Sequence, residues 1–331
     1  MTSRPTVLLV ATGGGHLHEL TVLAERATPR GWHRAWLVPT GTQSDELIGD
    51  DDVHRLRDTP PRDLAAVAVN APLVYRLLRQ VRPVAIVSTG AAAAVPTLGI
   101  ASLLGAECHY VESAARTDGP SLTGKLVAPF PGVHCYAQWP TWTTRTWTVP
   151  GNVFDGLAPR PSGSGRDIRR VVVMLGTQAG YGFRRAVERL CALLPSSAEV
   201  LWQVGSTDVS GLPIDGRRSV PPSELRRAIA RADAVVAHAG VGSALTALSE
   251  GRCPVLLPRE QAHGEHVDDH QAQIAKAIGA LGLAVGRRVD ELTLDDIRAA
   301  AAVTVKRSPA GMLRLGGELG RALGPGRLTP G

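Results

Sequence analysis

Short runs rich in Val, Leu and Ala recur along the chain, separated by longer stretches whose apolar positions repeat at helical spacing. In the first half, Val7–Ala11, Ala35–Val38, Val84–Val87, His109–Val111 and Val133–Ala137 read as strands, with helices near His16–Ala27, Leu64–Gln80 and Ala91–Leu104 between them. Pro150–Gly165 is rich in Pro and Gly, lacks either period and reads as a linker. The alternation then restarts, with strands at Val171–Leu175, Val200–Val204, Ala234–Ala237, Val255–Leu257 and Leu283–Val285. Helices are expected at Phe183–Leu194, Ser223–Arg231, Ser243–Glu250 and Val267–Ile278. Strands alternating with helices predict an α/β fold of two Rossmann-like, doubly wound parallel sheets facing across a cleft. The expected boundaries are 1–150 for a first Rossmann-like domain, 151–167 for the linker, 168–306 for a second Rossmann-like domain and 307–331 for a C-terminal helix and tail.

Five segments carry candidate chemistry. The first strand runs into Gly13, Gly14 and Gly15 and then a helix, which aims backbone N–H groups and the positive end of the helix dipole at an incoming ligand. His16 sits at that helix start, where the dipole favours the neutral imidazole that a general base requires; a capping or packing role competes with this reading. Glu112 ends an apolar strand four residues before Arg116, so the pair either faces a ligand or forms a plain salt bridge. Gly176, Thr177 and Gln178 follow a strand and suit the lip of a phosphate or sugar site, or a simple turn into a helix.

The fourth segment is the most specific: a strand delivers His238 to a turn, Gly240, Val241 and Gly242 allow close approach, and Ser243 is expected to cap a helix whose free N–H groups hold a diphosphate. Such a site stabilises a departing nucleoside diphosphate without a metal. The fifth, Arg259 to Gln271, holds His263, Glu265, His266 and His270. His266 and His270 are four apart and would share a helical face as zinc ligands do, but spacing fixes no third ligand, and the same string suits hydrogen bonds to sugar hydroxyls.

The remaining composition narrows the setting. The chain has 331 residues, 44% of them hydrophobic, enough for two cores and unlike a disordered or fibrous protein. Its net charge of +6 arises from 36 basic residues, 33 of them Arg, against 30 acidic ones. The excess is +1 over residues 1–160 and +5 over the rest, so an anionic ligand is expected on the second half. Cys108, Cys135, Cys191 and Cys253 form no C-x-x-C pair, which fits a reducing cytoplasm better than a disulfide or zinc framework. The N-terminal apolar run is too short for a signal peptide and Ala91–Leu104 is too short to span a bilayer, so a soluble or peripheral protein is expected.

With these residues in hand, the chain resembles a glycosyltransferase family over nearly its full length. Residues 7–149 resemble the fourteenth asparagine-linked-glycosylation protein through Gly-Gly-His16-x-x-Glu19, Glu112-Ser-x-x-Arg116, Leu122-Thr-Gly-Lys125 and Gln138-Trp139-Pro140. Residues 170–303 resemble the thirteenth such protein and the C-terminal domain of glycosyltransferase family 28, through Gly176-Thr-Gln178, Ala232-Asp233, His238-Ala-Gly-x-Gly-Ser243 and Asp269-His-Gln271. Bacterial exopolysaccharide enzymes are similar, and the N-acetylglucosaminyltransferase of peptidoglycan assembly is a more distant likeness.

The resemblance implies a GT-B fold and an inverting glycosyltransferase that needs no cofactor and no metal. The donor would be a UDP-sugar, UDP-GlcNAc or a near relative, and the acceptor a hydroxyl of a lipid-linked saccharide or a soluble metabolite. It implies His16 or Glu112 as catalytic base, with Gly14, Gly15 and Arg116 at the acceptor. The donor would meet Gly176, Thr177, Gln178, His238, Gly240, Val241, Gly242, Ser243, Glu265, His266, His270 and Gln271. Thr246 occupies the position where the family often has a ribose-binding Glu, which leaves the nucleotide preference open. No membrane anchor is read in the sequence, so the expected location is the cytoplasm, with peripheral contact to the inner face of the membrane as an option and no nucleic-acid partner. A UDP-sugar 2-epimerase or hydrolase, a non-catalytic sugar-nucleotide-binding subunit and a metal hydrolase are the competing readings.

Overall fold

The computed structural model describes residues 4–40, 48, 51–57, 64–162, 167–177, 180–266 and 269–324. The chain forms two compact units, Met1–Asp155 with Ala310–Gly331, and Gly156–Pro309. The first unit is built on a seven-stranded parallel sheet. Its strands in chain order are β1 (Thr6–Ala11), β2 (His33–Pro39), β3 (Asp52–Leu56), β4 (Ala85–Gly90), β5 (Glu107–Val111), β6 (Val133–Tyr136) and β7 (Trp147–Thr148), and their spatial order is β3-β2-β1-β4-β5-β6-β7. Five of the six residues of β1 and all six of β4 are buried, as central parallel strands covered on both faces must be. The helices are α1 (Gly15–Ala24), α2 (Leu64–Val81), α3 (Ala94–Leu103) and α4 (Leu122–Val127). The order of strands reverses direction between β1 and β4, and such switch points bind ligands beyond the strands' carboxyl ends.

The second unit repeats the design. Its strands β9 (Arg170–Met174), β10 (Glu199–Gln203), β11 (Gly216–Arg217), β12 (Ala234–His238), β13 (Val255–Leu257) and β14 (Val285–Gly286) form a parallel sheet ordered β11-β10-β9-β12-β13-β14. Here the reversal falls between β9 and β12. The helices are α5 (Arg184–Leu193), α6 (Pro222–Arg231), α7 (Val241–Ser249), α8 (His270–Ala280) and α9 (Leu294–Ala301). The paired parallel sheets agree with the expected fold class.

Three features differ from the pattern-based expectations. Part of the segment expected as a linker is a strand: β8 (Leu157–Pro161) pairs antiparallel with β15 (Val303–Arg307). Prolines 159 and 161 hid it, yet an edge ribbon tolerates proline because one side of the strand needs no ladder donor. The C-terminal segment from Ala310 belongs to the first unit, where α10 (Gly317–Leu323) docks through Leu313 and Leu319, both buried. Helix α8 begins at His270, so His266 lies outside it and the shared helical face proposed for a zinc pair does not form.

Candidate active site

At the switch point of the first unit, Gly14 is the N-cap of α1 at φ 75°, a left-handed conformation that suits glycine, and no side chain caps the helix. His16 is half-buried one residue into the helix. Its Nδ1 lies 2.8 Å from the carbonyl oxygen of Thr89, and the Thr89 hydroxyl donates to the His16 carbonyl at 2.7 Å. A carbonyl only accepts, so Nδ1 carries the proton and Nε2 keeps its lone pair. This is the tautomer a general base needs.

Below His16 lies a buried polar network that ties together the segments of the sequence resemblance. Glu19 is buried and accepts from the Ser113 hydroxyl at 2.5 Å, the Ala114 N–H at 2.8 Å and Gln138 Nε2 at 2.9 Å. Burial pushes its carboxyl up, while the nearby His16 and these three donors work against that shift. Glu112 is also buried; its Oε1 accepts from the Tyr110 hydroxyl and the Ser113 N–H, both at 3.1 Å, and its Oε2 accepts from the Ser121 N–H at 2.8 Å. With three donors already on the carboxylate, Glu112 fastens the loop leading into α4. Arg116 is half-buried, and its carbonyl accepts from Trp142 Nε1 at 3.0 Å. Tyr110 and His16 both border Gly90: a Cβ there would lie 2.9 Å from the Tyr110 hydroxyl and 3.6 Å from His16 Cε1.

At the switch point of the second unit, His238 ends β12 with Gly176 and Gly240 against its ring. A Cβ at Gly176 would lie 2.8 Å from His238 Nε2, and one at Gly240 would overlap Cε1. Burial first, and then the Arg259 charge, lower the His238 pKa to about 3, so the imidazole is neutral. The N-cap of α7 is Gly240 and no side chain caps the helix; Ser243 is not the cap but the third residue of the first turn. The helix starts earlier than expected, taking in Val241 and Gly242 despite the low helix propensity of glycine, with Gly240 extended before it. The N–H groups of Val241, Gly242 and Ser243 thus open this helix, a ready anion site. Thr246 is half-buried and donates its hydroxyl to the Gly242 carbonyl at 2.8 Å. Thr177 is exposed, and Gln178 lies outside the described residues.

The 259–271 segment is organised differently from a row of sugar-binding side chains. Glu265 is buried and held two-pronged by Arg185, with Nε at 3.2 Å and Nη2 at 3.1 Å, while its Oε2 also accepts from the Glu260 N–H at 3.0 Å. Gln271 is buried, its Oε1 accepting from the Arg259 N–H at 3.0 Å. The His266 ring is tilted by 30° against Tyr181 with centroids 5.3 Å apart and meets His270 edge-on at 4.9 Å. Among the described residues no three His, Cys, Asp or Glu side chains gather as metal ligands. Tyr110, Arg185 and Arg259 receive no role from the sequence, and Glu19 enters there only as a motif position; their buried contacts single them out here.

Residues 170–298 match the glycosyltransferase family 28 C-terminal domain. Over 312 aligned residues the chain is 28% identical to a UDP-N-acetylglucosamine–N-acetylmuramyl-(pentapeptide) pyrophosphoryl-undecaprenol N-acetylglucosamine transferase of Xanthomonas oryzae, covering 87% of this chain and 69% of that one. In three dimensions it is similar to MurG of Acinetobacter baumannii, with TM-score 0.56, 17% identity and 89% of each chain covered. A UDP-N-acetylglucosamine 2-epimerase is similar in fold as well, with TM-score 0.59 at 10% identity and 90% of each chain covered. The fold is therefore GT-B, and the expectation of a glycosyltransferase enzyme holds. No helix among the described residues is long and apolar enough to cross a membrane.

Proposed function

We propose that this chain is an inverting, metal-independent glycosyltransferase that moves GlcNAc or a related sugar from a UDP-sugar to a hydroxyl of a lipid-linked saccharide or a soluble metabolite. The donor part of the reading is supported by the family 28 match and by the UDP-N-acetylglucosamine dependence printed in the name of the Xanthomonas relative. In this reading the first turn of α7, from Val241 to Ser243, holds the diphosphate, with Gly176 and neutral His238 behind it, and Thr177 and Gln178 are assigned to the donor as well. His266 and His270 meet the sugar, whereas Glu265 and Gln271 shape the pocket through Arg185 and Arg259. No metal or other cofactor takes part. In this reading one polypeptide carries counterparts of both asparagine-linked-glycosylation proteins that the sequence resembles.

The acceptor hydroxyl binds at Gly14 and Gly15, with Arg116 nearby, and loses its proton to His16 as it attacks the anomeric carbon; UDP leaves from the opposite face. One observation carries this assignment: the Thr89 carbonyl fixes the proton on Nδ1 and leaves Nε2 as the acceptor. Glu112, buried with three donors already on its carboxylate, is the positioning residue rather than the base. His16→Ala is expected to lower kcat by about 10²–10⁴-fold while leaving the Kd for UDP unchanged. Steady-state kinetics together with calorimetric UDP titration test this, and near-normal turnover removes His16 from the role.

A lipid-linked acceptor also accounts for a surface feature of the first unit. Val69, Leu73, Tyr75, Leu103, Leu104, Leu122 and Leu126 are exposed on or beside the packed helices α2, α3 and α4. Arg76, Arg79, Arg82 and Lys125 are exposed among them. Apolar side chains beside basic ones suit peripheral contact with the anionic cytoplasmic face of a membrane.

A further inference from the structure

Arg259 is 2% exposed at the switch point of the second unit, two residues beyond Leu257, which pairs with His238. Its Nη2 donates to the Leu175 carbonyl, immediately before the Gly176 turn, and its guanidinium carbon lies 5.8 Å from the centre of the Phe183 ring. Its Nε is buried without a hydrogen-bond partner among the described residues, as is Nδ1 of His238. The guanidinium keeps its proton in proteins, so this is a buried positive charge. Glu265 is the carboxylate that acts on it, but that carboxylate is already engaged by the two-pronged Arg185 contact and the Glu260 N–H.

A buried guanidinium with an open N–H and a counter-ion shared with another Arg costs stability unless an anion joins it. The anion's place is marked by neighbouring groups. Arg259 acts on His238, whose ring touches the position of Gly240, the N-cap of α7. The charge therefore adjoins the helix start that Proposed function gives to the diphosphate. We infer that Arg259 is the buried electrostatic counterpart of the donor diphosphate, a positioning residue left undercompensated in the empty protein and neutralised when the donor binds. This inference rests on the donor reading above and adds to it the group that supplies the positive charge. It also explains how a turn made of Val241, Gly242 and Ser243, with no cationic side chain of its own, attracts an anion.

A strut and a charge donor predict opposite behaviour on neutralisation. Arg259→Gln keeps an amide donor for the Leu175 carbonyl and deletes the charge. Without ligand, the variant is expected to melt at or above the wild-type Tm, and its Kd for UDP is expected to rise about 10–100-fold, with Arg259→Lys retaining most of the affinity. Thermal melts with and without UDP, together with calorimetric titration of UDP and uridine, read both quantities; uridine, lacking phosphates, is expected to show no such loss. An Arg259→Gln protein that melts lower or fails to fold, or that binds UDP as wild type does, overturns the inference. Absence of UDP binding by the wild-type protein overturns the donor reading itself and this inference with it.

Discussion

A β-carbon at position 240 would overlap His238, and one at position 176 would lie 2.8 Å from the same ring, in a backbone already at φ 81°. The two glycines are therefore defined by what they touch. Gly240→Ala forces the imidazole or the α7 N-cap to move, and overpacking of this kind costs about 1–3 kcal/mol. The expected outcome is a denaturant midpoint lowered accordingly and a weakened Kd for UDP; a variant with wild-type values in both would separate His238 from the diphosphate turn. At this scale the sequence was informative where backbone chemistry acts locally. The Gly13–Gly15 loop, His16 and the His238–Ser243 turn were legible because a strand, glycines and a helix start follow one another directly. Arg259 was not, and Glu19 showed only as a motif position, because their meaning lies in burial and in partners such as Leu175 and Ser113 that are distant in the chain.

Among the elements, the C-terminal segment shows most clearly what periodicity misses. A helix is expected within 307–331, but periodicity does not say which unit it joins; hydrogen bonds hold it there beside the buried Leu313 and Leu319. Arg26 Nε donates to the Gly311 carbonyl at 2.6 Å, the Gly316 N–H donates to the Tyr136 hydroxyl at 2.8 Å, and Glu107 Oε2 accepts from the Glu318 N–H at 2.8 Å. Burial pushes the Glu107 carboxyl up, but His109, 2.9 Å away, and the Glu318 and Leu319 N–H groups more than offset this and hold it below its ordinary value. A carboxyl lowered by folding adds stability that is complete above the ordinary carboxylate range and is lost as pH falls through the lowered folded value. Hydrogen exchange at Glu318 and Leu319 is accordingly expected to quicken in Glu107→Gln at neutral pH. Unchanged exchange in that variant would show that Leu313 and Leu319 alone hold the segment. The β8–β15 ribbon was hidden for a related reason, since its pairing joins residues 157–161 to 303–307 and prolines mask the strand signal.

For the whole molecule, the duplicated alternation of strands and helices gave the fold class directly, because parallel sheets buried on both faces demand continuous apolar strands. The strand orders place the glycine loop of the first unit and the His238 turn of the second each at its own switch point. The +5 excess of the second half points to the same unit to which the diphosphate is assigned, but not to the residue that supplies the charge there. Exposed arginines make up most of that excess, whereas the charge assigned to the diphosphate sits on one buried residue. The central claim is transfer itself. Mass spectrometry of the purified protein with a panel of UDP-sugars, a lipid-linked saccharide in anionic vesicles and soluble acceptors, all in the presence of a chelator, tests it most directly. The account predicts UDP release matched one-to-one by the gain of one sugar on an acceptor; conversion of the UDP-sugar to an epimer or free sugar without any acceptor, or transfer abolished by the chelator, would contradict it.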